Sequence, residues 1–312
     1  MNEKISVLMP VYKTPIEWLD EAIESILGQT YGNFDFIIVN DRAPEAETIR
    51  LREWSLKDNR IRLIEHEENL GCAEALNTGL RACQTRLVAR MDSDDRSLPQ
   101  RLEKQLEYFT RHPEVDVLGT SFCYHHSPSK VHHRPLTNEA CHFSLMYCSP
   151  LAHPTVMYKR EVIDCLGGYN KERLYAEDYD LWARGALQGL NIENMQEVLL
   201  AYRYKKCDEN ADYIRKQKDT STAVSDMYSE AFLKKLCVEG VECLSKPQYD
   251  FKEVLEAYEV YLKAFRACNE KEDSSLKKAL EGAMRHAYKK FSGSAGNKLF
   301  LKLVYKVKCT LL

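Results

Sequence analysis

Three carboxylates within four residues, Asp92, Asp94 and Asp95, follow the apolar run Leu87-Val88-Ala89 in "RLVARMDSDDRSLP", residues 86–99. Like charges that close repel, and a carboxylate at the end of a buried strand is costly without a partner. On an extended backbone Asp92 and Asp94 point to one side and Asp95 to the other. Carboxylates spaced Asp-x-Asp can share a hard divalent cation, Mg²⁺ or Mn²⁺, which prefers oxygen ligands and keeps substrate phosphates in its shell. The same spacing suits a solvated turn ahead of a helix. A second acidic group, "AEDYDLW", holds Glu177, Asp178 and Asp180 at an expected helix start. A carboxylate there ionises easily, as a general base should, and Asp178 shares a face with Trp182 four residues on. The plainer reading is ordinary N-terminal acids with Trp182 in the core.

The elements that must position these groups alternate along the first half of the chain. "ISVLMPVY" is a continuous apolar run, as in a strand covered on both faces. Thr14, Pro15 and Glu17 then form a capping box ahead of Trp18, Leu19, Ala22, Ile23 and Ile26 at helical spacing. "FDFIIVN", "RIRLIEH" and "RLVARMD" read as further strands, separated by "PEAETIRLREWSLK" and "GCAEALNTGLRACQ", which are helical by composition. Ser97 and Gln100 repeat the box before a helix through Leu102, Leu106 and Phe109, and "VDVLGTSFCYH" returns to strand. The alternation predicts an α/β sheet whose first strands are parallel, with right-handed crossovers. Ligands bind such sheets beyond the carboxyl ends of the strands. Pro10-Val11-Tyr12, Asn40-Asp41 and Asp92 to Asp95 therefore share one rim, which favours the cation reading of the aspartates.

Size and charge narrow the class. At 312 residues with 44% hydrophobic and 29% charged residues, the chain suits one large soluble domain or two ordinary ones. A net charge of −3 predicts no general attraction to nucleic acid. No apolar stretch approaches the roughly 20 residues that span a bilayer, and "MNEKISVLMPVY" lacks the pattern of a secretory signal. The 11 cysteines are scattered without a Cys-x-x-Cys, which fits reduced thiols buried as small hydrophobes in a cytoplasmic protein.

Six stretches in order carry a resemblance: "VLMPVYKTPIEWLDEAIESILGQTYGNFDFIIVND", "ENLGCAEALNTGLRAC", "ARMDSDD", "HPTVMYKREVIDCLGGY", "EDYDLW" and "YRY". Over about residues 4–205 the chain resembles family 2 glycosyltransferases, inverting nucleotide-sugar-dependent enzymes of the GT-A fold, including those that build bacterial surface polysaccharides. The resemblance implies a Rossmann-like, mostly parallel sheet flanked by helices, with a helical C-terminal extension. It implies a nucleotide pocket lined by Pro10, Val11 and Tyr12, with Asp41 hydrogen-bonding the base and Asn69 and Gly71 shaping a nearby loop. Asp92 would sit by the ribose or the metal, Asp94 would ligate Mn²⁺ or Mg²⁺, and Asp178 of the Glu177-Asp178 pair would be the catalytic base. His153 and Arg203 match recurrent positions near the site, and Trp182 is grouped with them as an acceptor-side residue. Asn40 stands where many members carry an aspartate, a change expected to leave the base contact with Asp41. The donor implied is a nucleotide sugar, with UDP the default, and the acceptor is a glycan or lipid-linked glycan.

The expected domains are residues 1–207, catalytic, and 208–312, helical. Within 296–311, Lys298, Lys302 and Lys306 form one helical stripe and Phe300, Leu303, Val304, Val307 and Leu311 the opposite face. That pattern suits an interfacial helix at the inner face of the membrane, or equally a helix packed on the catalytic domain. Two other enzyme classes lack their phosphate-binding signatures: no glycine-rich loop of a sugar nucleotidyltransferase follows the first strand, and no G-x-G-x-x-G follows any strand. A nucleotide-sugar-binding module with reduced chemistry remains the non-enzyme alternative, against which intact Asp94 and Asp178 count.

Overall fold

The computed structural model describes residues 3–203 and 211–235, with 278, 279, 281–283 and 285. The amphipathic stretch 296–311 and the expected boundary at 207 lie outside the described residues. Strand β1 (Ile5–Val11) lies between β2 (Phe34–Asn40) and β4 (Leu87–Arg90), and β3 (Ile61–Glu65) flanks β2. All three pairings are parallel, with Val7 level with both Phe36 and Ala89. Ile5, Val7, Met9 and Val11 enter the core under α1 (Ile16–Leu27) and α2 (Glu45–Lys57), while Leu8 enters the core under α3 (Cys72–Ala82). Burial of both faces is why the strand reads as an unbroken apolar run.

Beyond β4 the direction alternates. The short strand β8 (Met157–Lys159) runs antiparallel to β4 and to β6 (Val117–Tyr124). Strand β9 (Ile192–Tyr202) runs parallel to β6, β5 (Arg96–Ser97) runs antiparallel to β9, and β7 (Ser127–His132) pairs antiparallel with β6. Helices α4 (Arg101–Arg111), α5 (Asn138–Ser144), α6 (Arg160–Cys165) and α7 (Glu177–Leu187) complete the layers. The long helix α8 (Ala211–Lys235) puts Val224, Tyr228 and Phe232 into the same core as Trp182 and Tyr158. No helix among the described residues is long and apolar enough to cross a membrane.

Neither capping box forms. Pro15 is the N-cap of α1 with no side-chain cap, and Thr14 instead shares a 2.6 Å hydroxyl–hydroxyl bond with Ser93 in the acidic turn. Ahead of α4, Ser97 is held in β5, and the Leu102 amide donates to the Gln29 side chain at 3.1 Å. In both places a distant residue does what the local pattern suggested a neighbour would do, which ties α1 and α4 to the turn between them. Of the six described cysteines, Cys83, Cys123 and Cys141 are buried as expected, but Cys72 and Cys165 are exposed.

Candidate active site

The carboxyl ends of β1, β2 and β4 open into one crevice of about 930 Å³. Pro10, Val11, Tyr12 and Asp41 line one end of the set, and Asn69 and Gly71 contribute from the loop before α3. Asp92 and Asp94 face the same space, as do His153 from a 3₁₀ turn (His153–Thr155) and Glu177 and Asp178 from the start of α7. Residues far apart in sequence thus converge as the parallel strand order requires.

Strand β4 ends at Arg90, and the next residues turn rather than continue extended, yet Asp92 and Asp94 line the crevice and Asp95 does not, the division that strand alternation suggested. Oxygens of Asp92, Asp94 and Asp95 all lie within 4.8 Å of one another. Asp95 is 1% exposed; its Oδ1 accepts the Arg203 amide at 2.7 Å, and its Oδ2 has no partner among the described residues. Burial, with Asp92 and Asp94 beside it, pushes the Asp95 carboxyl well above its ordinary range. An all-oxygen cluster of like charges with an orphaned buried oxygen fits a hard divalent cation.

Arg90 is the residue that sequence reasoning missed, although a charge inside an otherwise apolar strand was a visible signal. Its side chain is 3% exposed, and Nη2 meets Asp92 Oδ1 at 2.5 Å. Its Nε and Nη1 have no hydrogen-bond partner among the described residues. Below it, fully buried Arg101 donates to the carbonyls of Arg90 at 2.7 Å and Val156 at 3.2 Å. Arg203 lies behind the turn rather than on the crevice wall: Nε donates to the Asp94 carbonyl at 2.8 Å, Nη2 pairs with Glu21, and the guanidinium covers Trp18.

Asp41 lines the crevice and is also hydrogen-bonded within the protein. Oδ1 accepts from His66 Nδ1 at 2.7 Å and the Leu70 amide at 2.8 Å. Oδ2 accepts from Asn69 Nδ2 at 2.9 Å and the Gly71 amide at 2.8 Å. These bonds fill the carboxylate's roughly four acceptor positions. Asp41 therefore pins the 66–71 loop, where Gly71 takes a φ of 87° that favours glycine. Asn40 likewise spends its amide locally, on Thr48 at 3.0 Å and the Ala43 amide at 2.8 Å. Asp41→Ala should remove the charged acceptor of the part-buried Leu70 and Gly71 amides and cost about 1–3 kcal/mol of stability. A lowered melting temperature together with weaker nucleoside-diphosphate binding checks this.

Asp178 and Glu177 open α7, preceded by Tyr175 at a φ of 65°. Burial, then the neighbouring Glu177, raises the Asp178 carboxyl to about 6, with its own and the Tyr179 amide acting in the opposite sense. His153 bonds the Tyr169 hydroxyl at 2.9 Å, and burial with Arg90 nearby holds it well below its usual range, so the imidazole is neutral. Trp182 does not reach the crevice. One turn into α7, the face it shares with Asp178 meets the core, and the indole is fully buried edge-on behind His153. Asp180 is also turned inward, onto Arg184 at 2.7 Å and Arg173 at 3.3 Å.

The family described as Glycosyl transferase family 2 matches residues 6–167 of the 312. The amylovoran biosynthesis glycosyltransferase AmsE of Erwinia amylovora is 34% identical over 205 residues, 64% of this chain and 75% of that protein. An Escherichia coli UDP-Gal:alpha-D-GlcNAc-diphosphoundecaprenol beta-1,3-galactosyltransferase is 34% identical over 208 residues, 65% of this chain and 75% of that protein. Among solved structures, S. aureus TarS 1-349 in complex with UDP-GlcNAc superposes with a TM-score of 0.57 at 15% identity, covering 98% of this chain and 92% of that one. The chain spans 55% of the longer S. aureus TarS chain. Mannosyltransferase PcManGT from Pyrobaculum calidifontis, in complex with GDP-Man and Mn²⁺, gives 0.55 at 16% identity over 99% and 84% of the two chains. The fold is that of GT-A glycosyltransferases. The chain belongs to glycosyl transferase family 2, and it is a glycosyltransferase with relatives in bacterial polysaccharide synthesis.

Proposed function

We propose that the protein transfers a sugar, with inversion, from a UDP-sugar to a hydroxyl of a growing surface glycan. The observation that carries this reading is the opening of Asp92, Asp94 and Asp178 onto one crevice, with a carboxylate oxygen of buried Asp95 within 4.8 Å of those of Asp92 and Asp94. The nucleoside lies against Pro10, Val11 and Tyr12, and its diphosphate lies beside the 92–95 turn. Asp92, Asp94 and Asp95 would hold Mg²⁺ or Mn²⁺, which when bound offsets the negative charge developing on the leaving diphosphate. Asp178, ionised above about pH 6, takes the proton of the acceptor hydroxyl. That oxygen bonds to the anomeric carbon from the side opposite the leaving group as the carbon–oxygen bond to phosphate breaks. The products are an inverted glycoside, the nucleoside diphosphate and a protonated Asp178, and no enzyme nucleophile is needed.

The test is a thermal-shift series over nucleoside diphosphates with and without Mn²⁺, followed by slow hydrolysis of the matching nucleotide sugar. Ligand at about 100 times its Kd adds about 2.7 kcal/mol of apparent stability. UDP with Mn²⁺ should raise the melting temperature most. A larger shift with another base would replace the donor, and no shift with any would remove the donor reading.

A further inference from the structure

The crevice extends beyond the residues assigned to donor and metal, and its far wall comes from outside the family-matched residues 6–167. Tyr213, Gln217 and Ser221 of α8 line it at four-residue spacing, which places them on one helix face. Beside them Tyr175 also lines the space, its ring in contact with that of Tyr213 at a centroid distance of 4.4 Å. Tyr175 is a bulky residue held in the left-handed region at φ 65°, a costly conformation that clusters at functional sites. It is 40% exposed, and only Ala176 and Glu177 separate it from Asp178. The next turns of α8 anchor the wall: Ser225 donates to the Met146 carbonyl at 2.7 Å, and the Tyr228 hydroxyl meets His142 Nδ1 at 2.9 Å.

We infer that Tyr175, Tyr213, Gln217 and Ser221 form the acceptor subsite, and that its occupant is a saccharide ring. The inference rests on the glycosyl-transfer reading and names the acceptor half of the same site. Two aromatic rings followed by an amide and a hydroxyl match the two surfaces of a pyranose. Its polarised C–H face packs on the negative faces of the rings, and its equatorial hydroxyls need donors and acceptors. Two phenols, a carboxamide and a hydroxyl, with no carboxylate or ammonium group among them, make a polar wall suited to a neutral polar surface. Its nearness to Asp178 puts a hydroxyl of a stacked ring on the side of the crevice where a base must receive a proton. Helix α8, which follows the catalytic fold in sequence, is thereby part of the site.

The test measures saturation-transfer NMR from the full chain to methyl glycosides of glucose, galactose and N-acetylglucosamine, with and without UDP and Mn²⁺, with decyl phosphate as competitor. At least one glycoside should show transfer. Tyr213→Ala should weaken its binding by about two- to tenfold, the range of one aromatic contact. Tyr213→Phe should restore it, and Gln217→Ala should weaken it without altering the UDP-induced melting shift. No transfer to any glycoside, transfer to decyl phosphate instead, or unchanged binding in Tyr213→Ala would each overturn the assignment. A missing UDP shift in the wild-type chain would instead overturn the donor reading, which separates the two failures.

Discussion

Asp94→Asn should abolish metal-dependent sugar transfer, with a loss of at least the 10²–10³ expected when one preorganised charge-stabilising group is removed. Asparagine keeps the shape of the side chain, and the contact from Arg203 is made to the Asp94 carbonyl, so the turn should persist. Asp92 already meets Arg90 at 2.5 Å, and Asp95 is buried with a raised carboxyl. Asp94 is the remaining member of the triad, and removing its charge weakens the field that attracts a hard cation. Nucleoside-diphosphate binding should fall in the presence of Mn²⁺ and change little without it. Without metal the variant should melt slightly higher than the wild type, because one of the like carboxylates crowded within 4.8 Å is replaced by a neutral amide. Undiminished transfer at saturating donor would remove Asp94 from the metal site.

What could be read in advance was mostly what periodicity and strand direction control. Apolar runs buried on both faces marked β1, β2 and β4, and a parallel order forces their carboxyl ends onto one rim. Hence Tyr12, Asp41 and Asp94, widely separated in the chain, could be placed together. Contacts between distant side chains were not legible. Thr14 and Ser97 looked like helix caps because capping is local, yet Ser93 and Gln29 reach them through tertiary structure. That Asp41 also anchors the 69–71 loop was not legible, because nothing in its neighbourhood revealed that those amides would fold back onto it. Asp92 and Asp94 do face the crevice while Asp95 lies buried away from it, but that Asp95 would accept the Arg203 amide was not legible, because β4 ends at Arg90 and the contact is tertiary. The short antiparallel strand β8 between β4 and β6 escaped because three residues are too few for a period.

Asp178→Asn should lower turnover by about 10²–10⁴, the usual consequence of losing a general base, while nucleotide affinity survives. The pH dependence identifies the group. Burial and Glu177 raise its carboxyl to about 6, so wild-type turnover should climb as pH passes through that value and level off above it. The variant should be low throughout and lack that limb. Stability runs the other way. A carboxyl that holds its proton more tightly when folded loses stability as pH rises from its unfolded value near 3.8 through about 6, and does not regain it above. Asp178→Asn should therefore melt above the wild type at pH 7.5, with the difference shrinking below about pH 4. Glu177→Gln removes the neighbouring charge and leaves the base in place, so it should shift the wild-type limb to lower pH with modest loss of turnover. If Asp178→Asn turns over normally and Glu177→Gln does not, the proton goes to Glu177 instead.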